Sequence, residues 1–203
     1  MNDPSAKNAI EFWFEYGSVY SYLSVMRIEG EAARRDVKVI WKPFLLGAIF
    51  QSVGFKVNPF VEQLEKRSYV LQDVPRQCKK YGLKWLQPST FPRSGVLPLR
   101  VALLGVDKPW IGEFSRRVME LNYALDKDIN EPEILAPVLT DLGLSASEIL
   151  EQAKAESTKS MLREQTEQAR KNGIFGAPTF LIGKEVFWGN DRLDDAFQFA
   201  SSS

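Results

Sequence analysis

Ile10, Phe12, Phe14 and Tyr16 recur at every second position, with Glu11 and Glu15 on the opposite parity. That alternation predicts a strand with one buried face, and Trp13 on the polar side implies cover for part of the other. Gly17 then frees the backbone, and Ser18 can cap a helix by accepting a backbone N–H on its hydroxyl. Leu23, Met26, Ile28 and Ala32 suit a packed helix running to about Arg35, after which Val37, Val39 and Trp41 return to period two. A strand, a long helix and a second strand make a β-α-β unit, which implies a right-handed crossover and a parallel pair.

From Asn58 to Asn172 the pattern is helical almost throughout. Asn58-Pro59 reads as a cap followed by proline at the first helical position, and Gly82 closes a segment interrupted at Pro75. Further helices are expected over Gly95–Val106, Trp110–Leu125, Pro132–Leu142 and, through the capping box Ser145-x-x-Glu148, Ala146–Asn172 with a break near Ser157. After Gly173 the short apolar runs Thr179–Ile182 and Glu185–Trp188 flank Gly183-Lys184, a turn with glycine first that suits a type II′ hairpin. Gly189-Asn190-Asp191 caps a last helix to about Ala200. The order β-α-β, helical block, β-β-α is an α/β thioredoxin-like core, discontinuous over 8–52 and 173–203, with a helical insertion domain over 53–172. In such a core two loops should meet. One holds Ser18-x-x-Ser21 at a helix N-terminus that favours an anion; the other holds Gly176-Ala177-Pro178-Thr179.

Composition narrows the chemistry. Lys plus Arg and Asp plus Glu each total 26 in 203 residues, so no basic excess favours nucleic acid. The absence of histidine excludes a Ser-His-Asp triad, a Cys-His dyad and any His-ligated metal site. The single cysteine, Cys78, can form neither an intrachain disulfide nor a Cys-x-x-Cys redox pair, which fits a reducing, cytoplasmic compartment. Acidic residues at positions 3, 11 and 15 interrupt the apolar run a signal peptide would need, and no charge-free stretch is long enough for a bilayer. Neither export by that route nor a membrane partner is expected.

FEYGSVYSYL, KPFLLGAIF, the pair Lys66 and Asp73, GIFGAPTFLI and FWGNDRL, in that order across nearly the whole chain, resemble the 2-hydroxychromene-2-carboxylate isomerase family, bacterial relatives of kappa-class glutathione transferases. The resemblance implies glutathione as cofactor. It places Ser18 where disulfide oxidoreductases of this fold keep a reactive cysteine, facing the glutathione thiol. With no histidine to take its proton, Ser18 is suited to donating a hydrogen bond to a thiolate rather than attacking. The resemblance further implies that the Ala177 backbone, with Pro178 holding it, pairs with the cysteinyl part of glutathione. Asn190 and Asp191 would receive the γ-glutamyl end, and Lys66 would lie near the glycyl carboxylate.

Each of these residues has a plainer reading. Ser18, Asn190 and Asp191 can be helix caps, and Lys66 a solvated helix lysine. Relatives often carry Gly-Asn after the second strand, whereas here Phe55 follows Gly54. Asn58 either replaces that asparagine or caps a helix, and Asp73 is equally a helix-start residue.

The implied reaction is reversible isomerisation of a 2-hydroxychromene-2-carboxylate to a trans-o-hydroxybenzylidenepyruvate in aromatic hydrocarbon breakdown. The thiolate adds to the conjugated carbon, the resulting single bond rotates, and elimination returns glutathione. A small aromatic substrate would need an apolar slot, with Trp13, Tyr20, Phe44, Phe50, Phe55, Trp85 and Phe91 as candidates, and a cation for its carboxylate, with Arg93 as candidate. The same site could serve a kappa-like transferase or peroxidase, or a binding protein without turnover. Related proteins form dimers, so a homodimer is expected.

Overall fold

The computed structural model describes residues 8–52, 54, 55 and 59–201, with Phe60 and Val61 described by their backbone alone. The β-α-β unit consists of β1 (Ala9–Phe14), α1 (Val19–Arg35) and β2 (Lys38–Pro43). The second half is β3 (Thr179–Ile182), β4 (Glu185–Trp188), a 3-10 turn over Asn190–Arg192 and α10 (Leu193–Ser201). These strands form one sheet in the order β2-β1-β3-β4, with β1 and β2 parallel and the other two pairings antiparallel. The chain therefore has the mixed four-stranded sheet of a thioredoxin-like α/β fold carrying a helical insertion.

The alternation in β1 sorts the sheet into two faces. Phe12 and Phe14 stack at 5.0 Å, and Phe12 also meets Phe180 at 5.4 Å and Trp41 at 5.3 Å, all beneath α1 and α10. Trp13 points to the other face, where it is covered by Phe44, Leu46, Ile49, Ala169, Ile174 and Leu181. Gly183 at φ +60, followed by a lysine at negative φ, makes the expected hairpin turn.

Between β2 and β3 lie α2 (Leu46–Ser52), α3 (Pro59–Glu62), α4 (Leu64–Tyr81), α5 (Val96–Leu104), α6 (Ile111–Tyr123), α7 (Pro132–Asp141), α8 (Ala146–Lys154) and α9 (Glu156–Lys171). Several details differ from the sequence pattern. Helix α2 has no strong heptad signal and forms because Leu46 and Ile49 cover the Trp13 face. Helix α4 runs through Pro75, since Val70, Val74 and Cys78 bury one continuous stripe that holds it together despite the missing N–H. Ser145 precedes α8 in extended conformation, but its side chain makes no capping bond. The expected break near Ser157 falls at Ala155, which is extended between α8 and α9. Inserted and core helices share one apolar cluster, in which Phe114, Val118 and Tyr123 pack with Phe12, Tyr16 and Tyr22.

Gly17 is required for a reason other than backbone freedom. Its φ is not positive, but a Cβ there would stand 2.6 Å from the carbonyl oxygen of Arg93. Gly17→Ala is expected to cost about 1–3 kcal/mol through this overpacking, read as a lowered denaturant midpoint with an unchanged m-value.

Candidate active site

Ser18 caps α1 from an extended backbone conformation, φ −93 and ψ 116, and its Oγ accepts the Ser21 N–H at 3.2 Å. The same hydroxyl donates to the carbonyl of Ala177 at 2.8 Å, so the two loops expected to meet are joined at one oxygen. Val19 and Tyr20, as the first helical residues, have N–H groups without an intrahelical acceptor, and these favour negative charge in front of the helix.

The loop leading to Ser18 is gripped by the insertion. Asn122 Nδ2 and Tyr123 Oη both donate to the Tyr16 carbonyl, at 3.0 and 3.1 Å, and Tyr16 Oη pairs with Ser115 Oγ at 2.9 Å. Gly95 completes the contact, since a Cβ there would lie 2.9 Å from Tyr16 Cβ.

The Ala177–Pro178 peptide is cis, as is Phe91–Pro92. The Pro178 carbonyl accepts the N–H of Gly189 at 2.9 Å, which ties the proline loop to Asn190 and Asp191. Gly189 has φ +109, a conformation that favours glycine, and a Cβ would collide with the Asp191 carboxylate. Asn190 is buried, and its side-chain oxygen accepts from Ser24 Oγ at 3.1 Å and Arg27 Nη1 at 3.2 Å. Its side chain is therefore committed to fixing the loop, and its carbonyl accepts the Leu193 N–H. Asp191 is exposed and pairs with Arg192 at 3.2 Å.

Helix α4 crosses in front of this cluster. Tyr20 Oη donates to Asp73 Oδ2 at 2.9 Å, and one end further along, the Arg27 guanidinium lies 3.9 Å from the centre of the Tyr81 ring. Successive residues of α4 thus meet successive residues of α1, so the two helices run in the same direction here. Lys66, seven residues before Asp73, stands two turns or roughly 10 Å upstream, toward the space ahead of α1. It is exposed. Asn58 lies outside the described residues.

Ser18, Ala177, Pro178, Asn190 and Asp191 are brought together, with Tyr20 and Asp73 at the edge. Other candidates are not available. Arg93 is buried, donating to Asn122 at 2.8 Å, to the Lys127 carbonyl at 2.9 Å and to Asp126 at 2.6 Å, so it braces the insertion rather than offering a free cation. Trp13, Phe44 and Phe91 are core residues, and Trp85 stacks on Tyr123 at 5.8 Å. Tyr20, Phe50 and Phe55 keep part of their surface. Cys78 is on the buried face of α4, and desolvation pushes its thiol up to about 11. Among the described residues no group of three or more acidic, cysteine or histidine side chains could hold a metal, and no helix is long and apolar enough to cross a membrane.

Sequence reading missed Glu15 and the residues that hold the Ser18 loop. Glu15 is the last charge on the polar parity of β1, three residues before Ser18, and that position was the available signal. Asn122 and Ser115 gave only the weaker signal of small polar groups on an otherwise apolar helix face.

A serine at the head of α1, facing a cis-proline loop in a thioredoxin-like sheet, defines a member of that fold built without a redox cysteine pair. The chain belongs to the DSBA-like thioredoxin domain family, whose model matches residues 9–199. It is 25% identical over 185 residues to a 2-hydroxychromene-2-carboxylate isomerase of Sphingobium xenophagum, covering 91% of this chain and 94% of the relative. It is also 25% identical over 207 residues to glutathione S-transferase kappa 2 of Caenorhabditis elegans, covering 95% and 92%. A solved structure of a 2-hydroxychromene-2-carboxylate isomerase superposes with a TM-score of 0.83 at 20% identity, over 96% of this chain and 93% of that one. These relatives are isomerases and glutathione transferases sharing one fold.

Burial raises the Glu15 carboxyl from its ordinary 4.5 to about 7, and a hydrogen bond from the Leu46 N–H offsets only part of that. A raised acid favours the folded state fully below the unfolded pKa and loses that contribution as pH rises through the folded one. Between pH 4.5 and about 7 the chain should therefore lose up to about 3 kcal/mol of stability. Denaturant titrations across this range should show the decline, and Glu15→Gln should flatten it.

Proposed function

We propose that this chain is a glutathione-dependent isomerase acting on 2-hydroxychromene-2-carboxylate or a related conjugated aromatic pyruvate. The observation that carries the reading is the Ser18 hydroxyl, held at the N-terminus of α1 and 2.8 Å from the carbonyl of Ala177. A donor at a helix start beside a cis-proline loop suits a thiolate brought by a ligand. The chain's own sulfur is not suited to the task, because Cys78 is buried and its thiol is weakly acidic. Similarity over nine-tenths of the chain to a curated isomerase supports the same reading.

The donor set fits glutathione. With a ligand bound, the single Ser18 proton would turn from the Ala177 carbonyl to the anionic sulfur, and with the N–H groups at the head of α1 it would lower the pKa of the thiol. The Ala177 carbonyl, which accepts from Ser18 in the free chain, would then accept from a strand-like partner. The Asp191 carboxylate would receive an ammonium, backbone N–H groups of the 3-10 turn at Asn190 would receive a carboxylate, and Lys66 would attract the second carboxylate. Glutathione, when bound, would supply the sulfur nucleophile. A homodimer in the cytoplasm is part of the proposal, and sedimentation of the purified chain tests its oligomeric half.

The similarity to a kappa transferase favours one second reading, in which the sulfur leaves on the product. Isomerisation leaves total thiol unchanged, whereas transfer consumes it.

Calorimetric titration with reduced glutathione and with its S-methyl derivative tests the site. The expected result is saturable binding that increasingly favours the free thiol as pH rises. Ser18→Ala should bind glutathione but raise the pKa of the bound thiol by about 1 to 2, seen in its ultraviolet thiolate absorbance. No binding of either compound at millimolar concentration would reject glutathione as the ligand.

A further inference from the structure

A cavity of about 240 Å³ lies between α2, α5 and α9, and none of Ser18, Lys66, Ala177, Pro178, Asn190 or Asp191 lines it. Its apolar wall is formed by Leu45, Ile49, Val96 and Leu162, and its charged wall by Arg100, Lys159, Arg163 and Arg170. Only one acid, Glu167, lines it as well, and that carboxylate pairs with Arg170 at 2.9 Å. Lys159 and Arg163 share Glu156 at the outer end of α9, at 3.4 and 2.7 Å. Four cations thus meet two carboxylates, and the cavity keeps a surplus of positive charge.

Arg100 is the unusual member. It is the one charged residue of α5, whose sequence is otherwise Val-Leu-Pro-Leu and Val-Ala-Leu-Leu. Its Nε is buried and has no hydrogen-bond partner, and no acid pairs with it among the described residues. Arg100 as a whole is half-buried, but an N–H cut off from water without an acceptor is costly, and an anion that accepts from it recovers that cost. Cation and apolar wall together select among anions. The fork of an arginine matches a planar carboxylate, while Leu45, Ile49, Val96 and Leu162 favour an apolar body over a strongly hydrated ion. The volume falls below the ~300 Å³ at which pockets for drug-sized ligands begin, so the ligand is small.

We propose that this cavity is a second ligand site, binding a small organic carboxylate with an apolar body, with Arg100 as its principal ion-pair partner. The assignment does not depend on glutathione binding at Ser18. Its α5 wall is also part of the brace behind the Ser18 loop, because Val96 lines the cavity and Gly95 packs on Tyr16.

The probe is trans-cinnamate, with cinnamyl alcohol as its uncharged counterpart and inorganic phosphate as an anion without an apolar body. Calorimetry on the full chain should show saturable binding of cinnamate that is stronger than that of either comparison compound. Arg100→Met should weaken cinnamate by at least about tenfold, as expected for loss of a charged hydrogen bond. Ala48→Phe, which fills the cavity from α2 and keeps Arg100, should weaken it similarly; glutathione titrated into both variants should behave as in the parent chain, whether or not it binds. Wild-type affinity in both variants, equal binding of the alcohol, or stronger binding of phosphate would each overturn the assignment.

Discussion

The carbonyl of Tyr16 is the point on which the two parts of the molecule depend. It lies in the turn after the first strand, two residues before the serine that heads α1, and accepts hydrogen bonds from Asn122 and Tyr123, more than a hundred residues away. A thioredoxin-like sheet could bend this junction in several ways. The inserted helices select one of them, because Gly17 admits the Arg93 backbone and Gly95 admits Tyr16 at distances no other residue pair would allow. Arg93 is in turn held by Asn122, Asp126 and the Lys127 carbonyl, so the brace is itself a closed polar network inside an apolar cluster. Such networks are favourable only when every member is satisfied, which makes the junction rigid.

The strands, the long first helix and the meeting of the two loops were legible in the sequence because each rests on a local signal. Period-two alternation marked β1 and β2, glycine marked the hairpin, and serine or glycine marked helix ends. The plan of the site was legible through resemblance, and the Ser18, Ala177 and Asn190 segments are adjacent in space. What could not be read depends on partners distant in sequence. Arg93 looked like an available cation, since nothing near it in the chain announces Asn122 or Asp126. Pro75 looked like a break, since the burial of Val70, Val74 and Cys78 that overrides it is a tertiary property. What the Asn190 side chain does could not be read either, since Ser24 and Arg27 hold it from a helix 160-odd positions earlier.

Electrostatics divides the molecule in a way the zero net charge conceals. At the head of α1 the attraction for an anion comes from unpaired N–H groups and a hydroxyl, dipoles that need no counter-ion. Between α5 and α9 it comes from full charges, one of them with a buried N–H that has no acceptor. Glu15 lies behind the Ser18 loop in a setting that favours its neutral form, which spares the helix start a competing negative charge below neutrality.

The bond from Ser18 to Ala177 spans 159 positions, and Gly189 must then reach Pro178 before the loop at Asn190 is set. A chain emerging from the ribosome makes the serine before the whole helical insertion and its partners only after it. A fragment that stops short of Gly189 lacks the contact that sets the Asn190 loop, so the arrangement described is complete only in the folded protein. For this molecule, the geometry of the Ser18 region reports completed folding.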